Sequence, residues 1–210
     1  GFSGQFIYNL TRYSPFMVDG ESMYPILNYD TQIEYSNGDK FDDPENAWRL
    51  KDFTENATYI CDYGLMDNSS GFVKRLKRFD IVITYYPSDY LNGELKPNAT
   101  LKVKRIIGCP GETVKFDVDG TLYILKGEDS DFVEIDQPFL NYENNKETRP
   151  SVSKSWYDAA MKETTNGYMS PYKLGDDEYY LVGDNRRLGA SLDSRSNIVG
   201  GIKESYLVGK

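Results

Sequence analysis

Ser22 and Lys104 are the two residues of this sequence that pose its central chemical question. The 210-residue chain contains no histidine, so a nucleophilic serine cannot give its proton to an imidazole. The base must then be a carboxylate, a tyrosine or a lysine. Lysine can serve only if burial lowers its pKa enough to leave a neutral amine. The question is therefore whether Lys104 activates Ser22.

The segment around Ser22 has the composition of a tight bend. Gly20 precedes the serine and Pro25 follows it, directly after an apolar stretch at residues 15–19. Such a bend presents a hydroxyl together with neighbouring backbone N–H groups, which are the usual donors of an oxyanion hole. Taken alone, the segment also fits an ordinary loop serine.

The segment around Lys104 alternates as a strand does. This period places Lys102 and Lys104 on one face, and Leu101, Val103 and Arg105 on the other. Two solvated lysines on an exposed strand face are the alternative interpretation, since lysine side chains are rarely buried.

A third segment is dense in small and charged residues. Residues 183–186 and 191–195 follow an apolar run, and their charged side chains can neutralise one another in a network that holds a loop rigidly beside an active site. A satisfied surface loop is the alternative. The charged residues concerned are Asp184, Arg186, Asp193 and Arg195.

The elements that must position these segments are predicted to be β-strands. The chain is 39% hydrophobic, with 18 tyrosines, 18 glycines, and Thr and Val throughout, which favours β-structure. Asp119 and Gly120 predict a hairpin turn between two apolar runs. The predicted strands are 15–19, 31–35, 80–86, 100–108, 112–118, 121–126, 178–183 and 205–209.

Two polar stretches, 36–72 and 141–172, are predicted to be insertions on this scaffold. Short helices are expected within them, near residues 44–53 and 153–162. The chain begins without methionine, and we expect residues 1–14 to be a truncated region after a removed membrane anchor. Residues 15–210 then form the main domain.

Composition limits the partners and cofactors. The net charge of -9 argues against a nucleic-acid partner, which requires a basic face. It does not exclude a membrane, because apolar surface can make that contact. Two distant cysteines without a CxxC motif, and no histidine, predict no metal site and no cofactor.

Taken in order, these segments resemble the sequence boxes of bacterial type I signal peptidases. The resemblance runs from about residue 15 to residue 210 and is interrupted by the two insertions. The boxes are Ser22–Pro25, Arg78–Val82, Lys104–Gly111, Gly183–Arg186 and Ser191–Arg195.

The resemblance implies a signal-peptidase-like all-β fold, with a core of antiparallel β-sheet or partial barrel and a smaller inserted subdomain. It also implies a membrane-bound serine endopeptidase. Such an enzyme acts on the extracytoplasmic face of the bacterial membrane, here of a Gram-positive type. It removes signal peptides from preproteins after small residues at the -1 and -3 positions. The alternative is a related assembly factor that binds a secreted subunit, such as a pilin, without cutting it.

The resemblance also implies roles for individual residues. Ser22 is then the nucleophile, Lys104 the base, and Ser191 the serine that hydrogen-bonds the lysine amine. The oxyanion and substrate-binding positions are Gly20, Asp19, Leu101 and Val103. The structural ion-pair network comprises Arg105, Asp184, Arg186, Asp193 and Arg195.

The chain departs from the family pattern at two informative positions. Phe79 stands where a glycine is usual in the Arg-Gly-Asp form of the second box. Four residues separate Arg186 from Ser191, where the family usually has two, whereas the spacing from Ser191 to Arg195 is kept. The extra residues must bulge without displacing the Ser191 hydroxyl.

Overall fold

The regular secondary structure of the described residues consists almost entirely of antiparallel strands. The computed structural model describes residues 12–20, 22–24, 26–28, 32–35, 40–41, 57–60, 62–117, 120–128, 131–140, 170–186, 191–196 and 198–210. The strands are β1 (Tyr13–Met17), β2 (Gln32–Tyr35), β3 (Lys40–Phe41), β4 (Ala57–Ile60), β5 (Tyr63–Asp67), β6 (Ile81–Thr84), β7 (Tyr90–Leu91), β8 (Glu94–Leu95), β9 (Lys102–Gly108), β10 (Glu112–Phe116), β11 (Leu122–Lys126), β12 (Val133–Ile135), β13 (Tyr172–Lys173), β14 (Glu178–Val182), β15 (Ile202–Lys203) and β16 (Leu207–Gly209). Short 3-10 turns occur at Phe72–Arg75, Pro87–Asp89 and Glu204–Tyr206.

Strand β9 lies at the centre of the largest sheet, whose order is β15-β14-β9-β6-β16. A second sheet has the order β12-β11-β10-β13, and a third has the order β3-β2-β4. Strands β1 and β5 form a two-stranded sheet, as do β7 and β8. Because β9 is central, the lysine box lies between two strands that fix its register.

Two apolar clusters cover the opposite faces of β9 and β14. Ile106 and Leu181 belong to one cluster with Tyr86, whereas Ile107 and Val182 belong to the other. Successive side chains of a strand point to opposite faces, so both faces of these strands are buried. Burial on both faces holds β9 rigidly where the lysine box begins.

The predicted all-β fold is confirmed. Each of the eight predicted strands has a counterpart in the structure, and the predicted and observed ends differ by two residues or fewer. The predicted hairpin joins β10 to β11, with Gly120 at a φ of 83°.

The predicted domain boundaries remain a prediction. Strand β5 lies inside the stretch 36–72 and pairs with β1 over five residues, so part of that stretch belongs to a sheet. The helices expected near residues 44–53 and 153–162 lie outside the described residues, as does most of the stretch 141–172. Within the described ranges, no helix has the length and apolar character needed to span a bilayer.

Candidate active site

Ser22 and Lys104 meet in the structure. Lys104 Nζ lies 2.8 Å from Ser22 Oγ and donates to the Val103 carbonyl at 3.1 Å. The lysine is only 4% exposed, so the interpretation as a solvated strand lysine is wrong. A separation of 2.8 Å allows a proton to pass from the hydroxyl to the amine.

Burial is the largest influence on the Lys104 amine and lowers its pKa to about 8. The Asp193 carboxylate opposes this change, whereas the Arg195 and Lys102 charges add to it. A pKa near 8 leaves a substantial neutral fraction close to neutral pH, which is the condition for lysine to act as a base.

Asn28 holds the loop that carries Ser22. Its side-chain amide donates to the carbonyls of Val18 and Gly20, each at 3.0 Å. Its Oδ1 accepts from the Asp62 N–H, and its own N–H donates to the Asp62 carboxylate. The side chain is 1% exposed and its φ is 62°, a left-handed value that asparagine tolerates. Our sequence analysis missed this residue, although an asparagine soon after a bend is a signal for such contacts.

Gly183 lets the Ser22 loop and the Ser191 turn approach each other closely. The Ser22 carbonyl accepts from the Asn185 N–H at 3.0 Å. A β-carbon at position 183 would lie 2.4 Å from both the Ser22 carbonyl oxygen and Ser191 Oγ. Only glycine fits without moving one of these two segments.

We expect Gly183→Ala to lower both activity and stability. The added methyl group would push against the backbone of Ser22 and thereby displace its hydroxyl from Lys104. Overpacking of this kind costs about 1–3 kcal/mol. Gly175→Ala is the matched control, since the nearest atoms to its β-carbon lie at ordinary contact distances of 3.5 Å. Unchanged turnover and thermal stability in Gly183→Ala would show that the close approach is unimportant.

Ser191 lies beside the site, but its hydroxyl donates to Asp193 rather than contacting the Lys104 amine as expected. Its hydroxyl donates to Asp193 Oδ2 at 2.6 Å. Among the described residues, the Lys104 amine bonds Ser22 and Val103 and not Ser191. The hydroxyl proton is therefore committed to a buried carboxylate. The four residues before Ser191 lie outside the described residues.

The turn after Ser191 is fixed from the core. The Tyr86 hydroxyl donates to the Leu192 carbonyl at 2.7 Å, and the tyrosine side chain is buried. Burial, reinforced by the Asp193 charge, raises the Tyr86 pKa well above its usual range, so the hydroxyl stays protonated as a donor. Tyr86 was another residue that our sequence analysis did not single out.

The predicted ion-pair network is present as two buried pairs. Asp193 accepts from Arg195 Nε and Nη2, each at 2.8 Å, and from the Gly183 N–H at 3.0 Å. Burial alone would raise the Asp193 pKa, but Arg195 and these hydrogen bonds outweigh it and lower the pKa. Arg105 donates two hydrogen bonds to the Asp184 carboxylate, from Nε at 2.8 Å and from Nη2 at 2.6 Å.

Arg186 supports the same loop by a different set of contacts. Its Nε donates to the Gly183 carbonyl and its Nη2 to Gln137 Oε1, each at 2.9 Å. Its guanidinium carbon lies 5.4 Å from the centre of the Phe116 ring, within cation–π range. Burial lowers its pKa to about 9.

A groove of about 490 Å³ runs past the Ser22–Lys104 pair. It is lined by residues 15–19 on one side and 100–104 on the other, together with Ser22, Met66 and Ile83. Asp19, Leu101 and Val103 all lie on its walls, and their role in substrate binding stays a prediction. Gly20 lies beside it with a φ of 100° and no atom within 4 Å of its β-carbon position.

Both walls of the groove present strand edges. Ile106 exchanges backbone hydrogen bonds with the chain entering β6, so by alternation Val103 directs its N–H and C=O away from β6. On that side β14 pairs with β9 only from Arg105 onward. Likewise Val18 bonds Asp62, so Met17 and Asp19 direct their backbone groups into the groove.

The described residues contain no group of three or more His, Cys, Asp or Glu side chains arranged to hold a metal ion.

Comparison with known proteins agrees with this geometry. A family model described as signal peptidase, peptidase S26, matches residues 5–210. The chain belongs to the signal peptidase family. Signal peptidase I T of Bacillus subtilis (strain 168) is 28% identical over 197 residues, which are 94% of this chain and 70% of that protein. Signal peptidase I V of the same strain is 32% identical over 145 residues, 69% of this chain and 70% of that protein.

Two further signal peptidases match over shorter parts. Signal peptidase I P of Bacillus subtilis subsp. natto is 33% identical over 141 residues, 64% of this chain and 60% of that protein. The solved structure of signal peptidase I from Enterococcus faecalis V583 has 27% sequence identity and a TM-score of 0.39, and it covers 64% of this chain and 94% of that chain.

Phe79 stands where the family pattern usually has glycine, and its backbone takes up a conformation that suits glycine. Its φ is 72°, a conformation that glycine adopts more readily. Its carbonyl accepts from Arg105 Nη1 at 2.7 Å, and its ring packs edge-on against Phe139 at 5.1 Å. The ring contact is the one of the two that glycine could not make.

Proposed function

We propose that this signal peptidase is a serine endopeptidase that cleaves signal peptides with a Ser22–Lys104 dyad. The observation that carries the proposal is the 2.8 Å contact between Ser22 Oγ and a buried Lys104 amine. A serine alone is a weak nucleophile, and a lysine with a lowered pKa is the activating base that a chain without histidine can supply.

The dyad accounts for both halves of the reaction. Neutral Lys104 takes the Ser22 proton as Oγ attacks the scissile carbonyl carbon, and the Ser22 backbone N–H stabilises the oxyanion. The ammonium then protonates the leaving amine as the C–N bond breaks, which leaves an ester on Ser22. Lys104 next takes a proton from water, whose oxygen attacks the carbonyl carbon of this ester. The bond from that carbon to Ser22 Oγ then breaks, and Lys104 returns the proton to Oγ, which regenerates the serine.

The groove supports binding of the substrate in an extended conformation. We infer that the peptide adds a strand between Asp19 on one wall and Leu101 and Val103 on the other, because these edges direct backbone groups toward it. Gly20 keeps the wall open next to the serine. The side chains at the -1 and -3 positions are two residues apart in an extended strand, so both then face the enzyme.

We further propose that the preprotein substrates meet the enzyme at the outer face of the bacterial cytoplasmic membrane. The names of the Bacillus relatives support a role in signal-peptide processing. A membrane anchor in the N-terminal region and the insertion boundaries stay predictions.

The assembly-factor alternative is not favoured. The relatives that the chain matches are signal peptidases, and the serine and lysine are both present and in contact.

The direct test is incubation of the protein with a preprotein that carries a signal peptide, followed by mass spectrometry of the products. We expect one cut after a small residue at -1. Ser22→Ala is the matched inactive control. No cleavage by the parent, together with tight binding of an intact secreted subunit, would favour the assembly factor.

The pH dependence of cleavage follows from the lowered Lys104 pKa. Only the neutral amine accepts the serine proton, so kcat/KM rises with pH and levels off above about 8. Below that midpoint we expect about a tenfold loss per pH unit. A pH–rate profile measures this, and a midpoint near the ordinary lysine value of 10.5 would contradict it.

A further inference from the structure

A second lysine lies next to the base on the same strand. Lys102 and Lys104 pair with Thr84 and Val82 of β6, and both lysines line the groove. Two residues along a strand span roughly 7 Å, and their side chains share a face. Lys102 therefore places a positive charge beside the amine that must stay neutral.

The Lys102 side chain is tethered rather than free in solvent. Its Nζ lies 2.5 Å from Asp89 Oδ2 and donates to the Thr100 carbonyl at 2.7 Å. It also lies 5.1 Å from the centre of the Tyr86 ring. Asp89 is itself anchored, since its carboxylate accepts from the Tyr86 N–H at 2.7 Å. The side chains of the pair are 22% and 12% exposed.

This arrangement suggests a function beyond structural support. We propose that Lys102 is a positioning residue that favours the neutral form of Lys104 through its charge, and that Asp89 limits this influence. The inference rests on the proposed role of Lys104 as the base. A fixed ammonium disfavours a second ammonium nearby, and an adjacent carboxylate offsets that effect.

The other charges that face Lys104 come from the loop after β14. Asp193 and Asp184 favour its protonated form, and Arg195 disfavours it, but each carboxylate is paired with an arginine. On its own strand, Lys102 lowers the Lys104 pKa. Burial raises the Asp89 pKa, but the Lys102 hydrogen bond and other contacts outweigh it and lower the pKa, so Asp89 is charged near neutral pH.

Removing the Lys102 charge and removing the Asp89 charge should have opposite effects on Lys104, which a purely structural role would not produce. In Lys102→Met, the uncompensated Asp89 charge should raise the Lys104 pKa by about half a unit to one unit. In Asp89→Asn, which keeps a hydrogen-bonding side chain, the pKa should fall by a similar amount. The double variant should return close to the parent. Lys96→Met is the matched control, because Lys96 donates to the neighbouring Ser88 carbonyl but does not line the groove.

The measurement is a titration of Lys104 by NMR with 13Cε-labelled lysine, with the signal identified by its loss in Lys104→Met. The pH–rate midpoint of each variant is recorded in parallel. The NMR titration needs no turnover, so failure of the proposed function and failure of this inference are distinguishable. A higher Lys104 pKa in Lys102→Met together with a lower Lys104 pKa in Asp89→Asn supports the proposal. No shift, or shifts in the same direction, would overturn it.

Discussion

Replacing Lys104 with methionine is expected to abolish signal-peptide cleavage while the chain stays folded. Methionine keeps a long apolar stem but removes the amine that lies 2.8 Å from Ser22 Oγ. We expect kcat to fall by about 10⁴-fold or more, as when one member of a cooperating catalytic group is removed. Thermal stability should be equal or higher, because burying a lysine costs free energy that methionine does not.

Three companion variants define this result. Ser22→Ala should lose as much activity as Lys104→Met, and the double variant should lose little more, since the two residues act as a unit. Lys126→Met removes an exposed lysine of β11 and should leave kcat unchanged. Retention of more than about one per cent of parent activity in Lys104→Met would mean that another group takes the serine proton.

Asp193→Ala is expected to give the largest loss of stability. The carboxylate is 1% exposed and accepts from Arg195, Ser191 and the Gly183 N–H. Its removal leaves the Arg195 guanidinium buried without this counter-charge, which typically costs about 3–5 kcal/mol. Activity should fall as well, because Gly183 lies against Ser22.

Denaturant unfolding measures this loss, and Asp177→Ala, at an exposed turn, is the control. The lowered Asp193 pKa also sets the sign of a pH effect. Its stabilising contribution is present above the unfolded-state value of about 3.9 and is lost as the pH falls through the lower folded-state value. A change in unfolding free energy no larger than that of Asp177→Ala would contradict the role of Asp193.

The sequence was sufficient to single out Ser22 and Lys104 as a candidate pair and to place Lys104 on a strand. Alternation along the segment around Lys104 predicted strand β9 and placed Lys102 and Lys104 on one face, and both lysines line the groove. The burial of Lys104 could not be predicted from its own segment, because it depends on the packing of β9 between β6 and β14.

The contacts that hold the site were beyond local sequence reasoning. Asn28 reaches Asp62 across 34 positions, and Tyr86 reaches Leu192 across 106. No spacing rule predicts such pairs, because they depend on how β1, β5 and β6 are arranged in space. The partner of Ser191 was misjudged for the same reason, since the sequence does not show which of two buried groups its hydroxyl meets.

The central claim, that Ser22 is the nucleophile and Lys104 its base, is tested most directly by trapping the acyl-enzyme. An ester analogue of the substrate is mixed with the protein, quenched in acid and digested, and the peptides are analysed by mass spectrometry. We expect the acyl group on the peptide that contains Ser22 in the parent and its absence in Lys104→Met. Acylation of a different residue, or equal acylation of Ser22 without the lysine amine, would contradict the account.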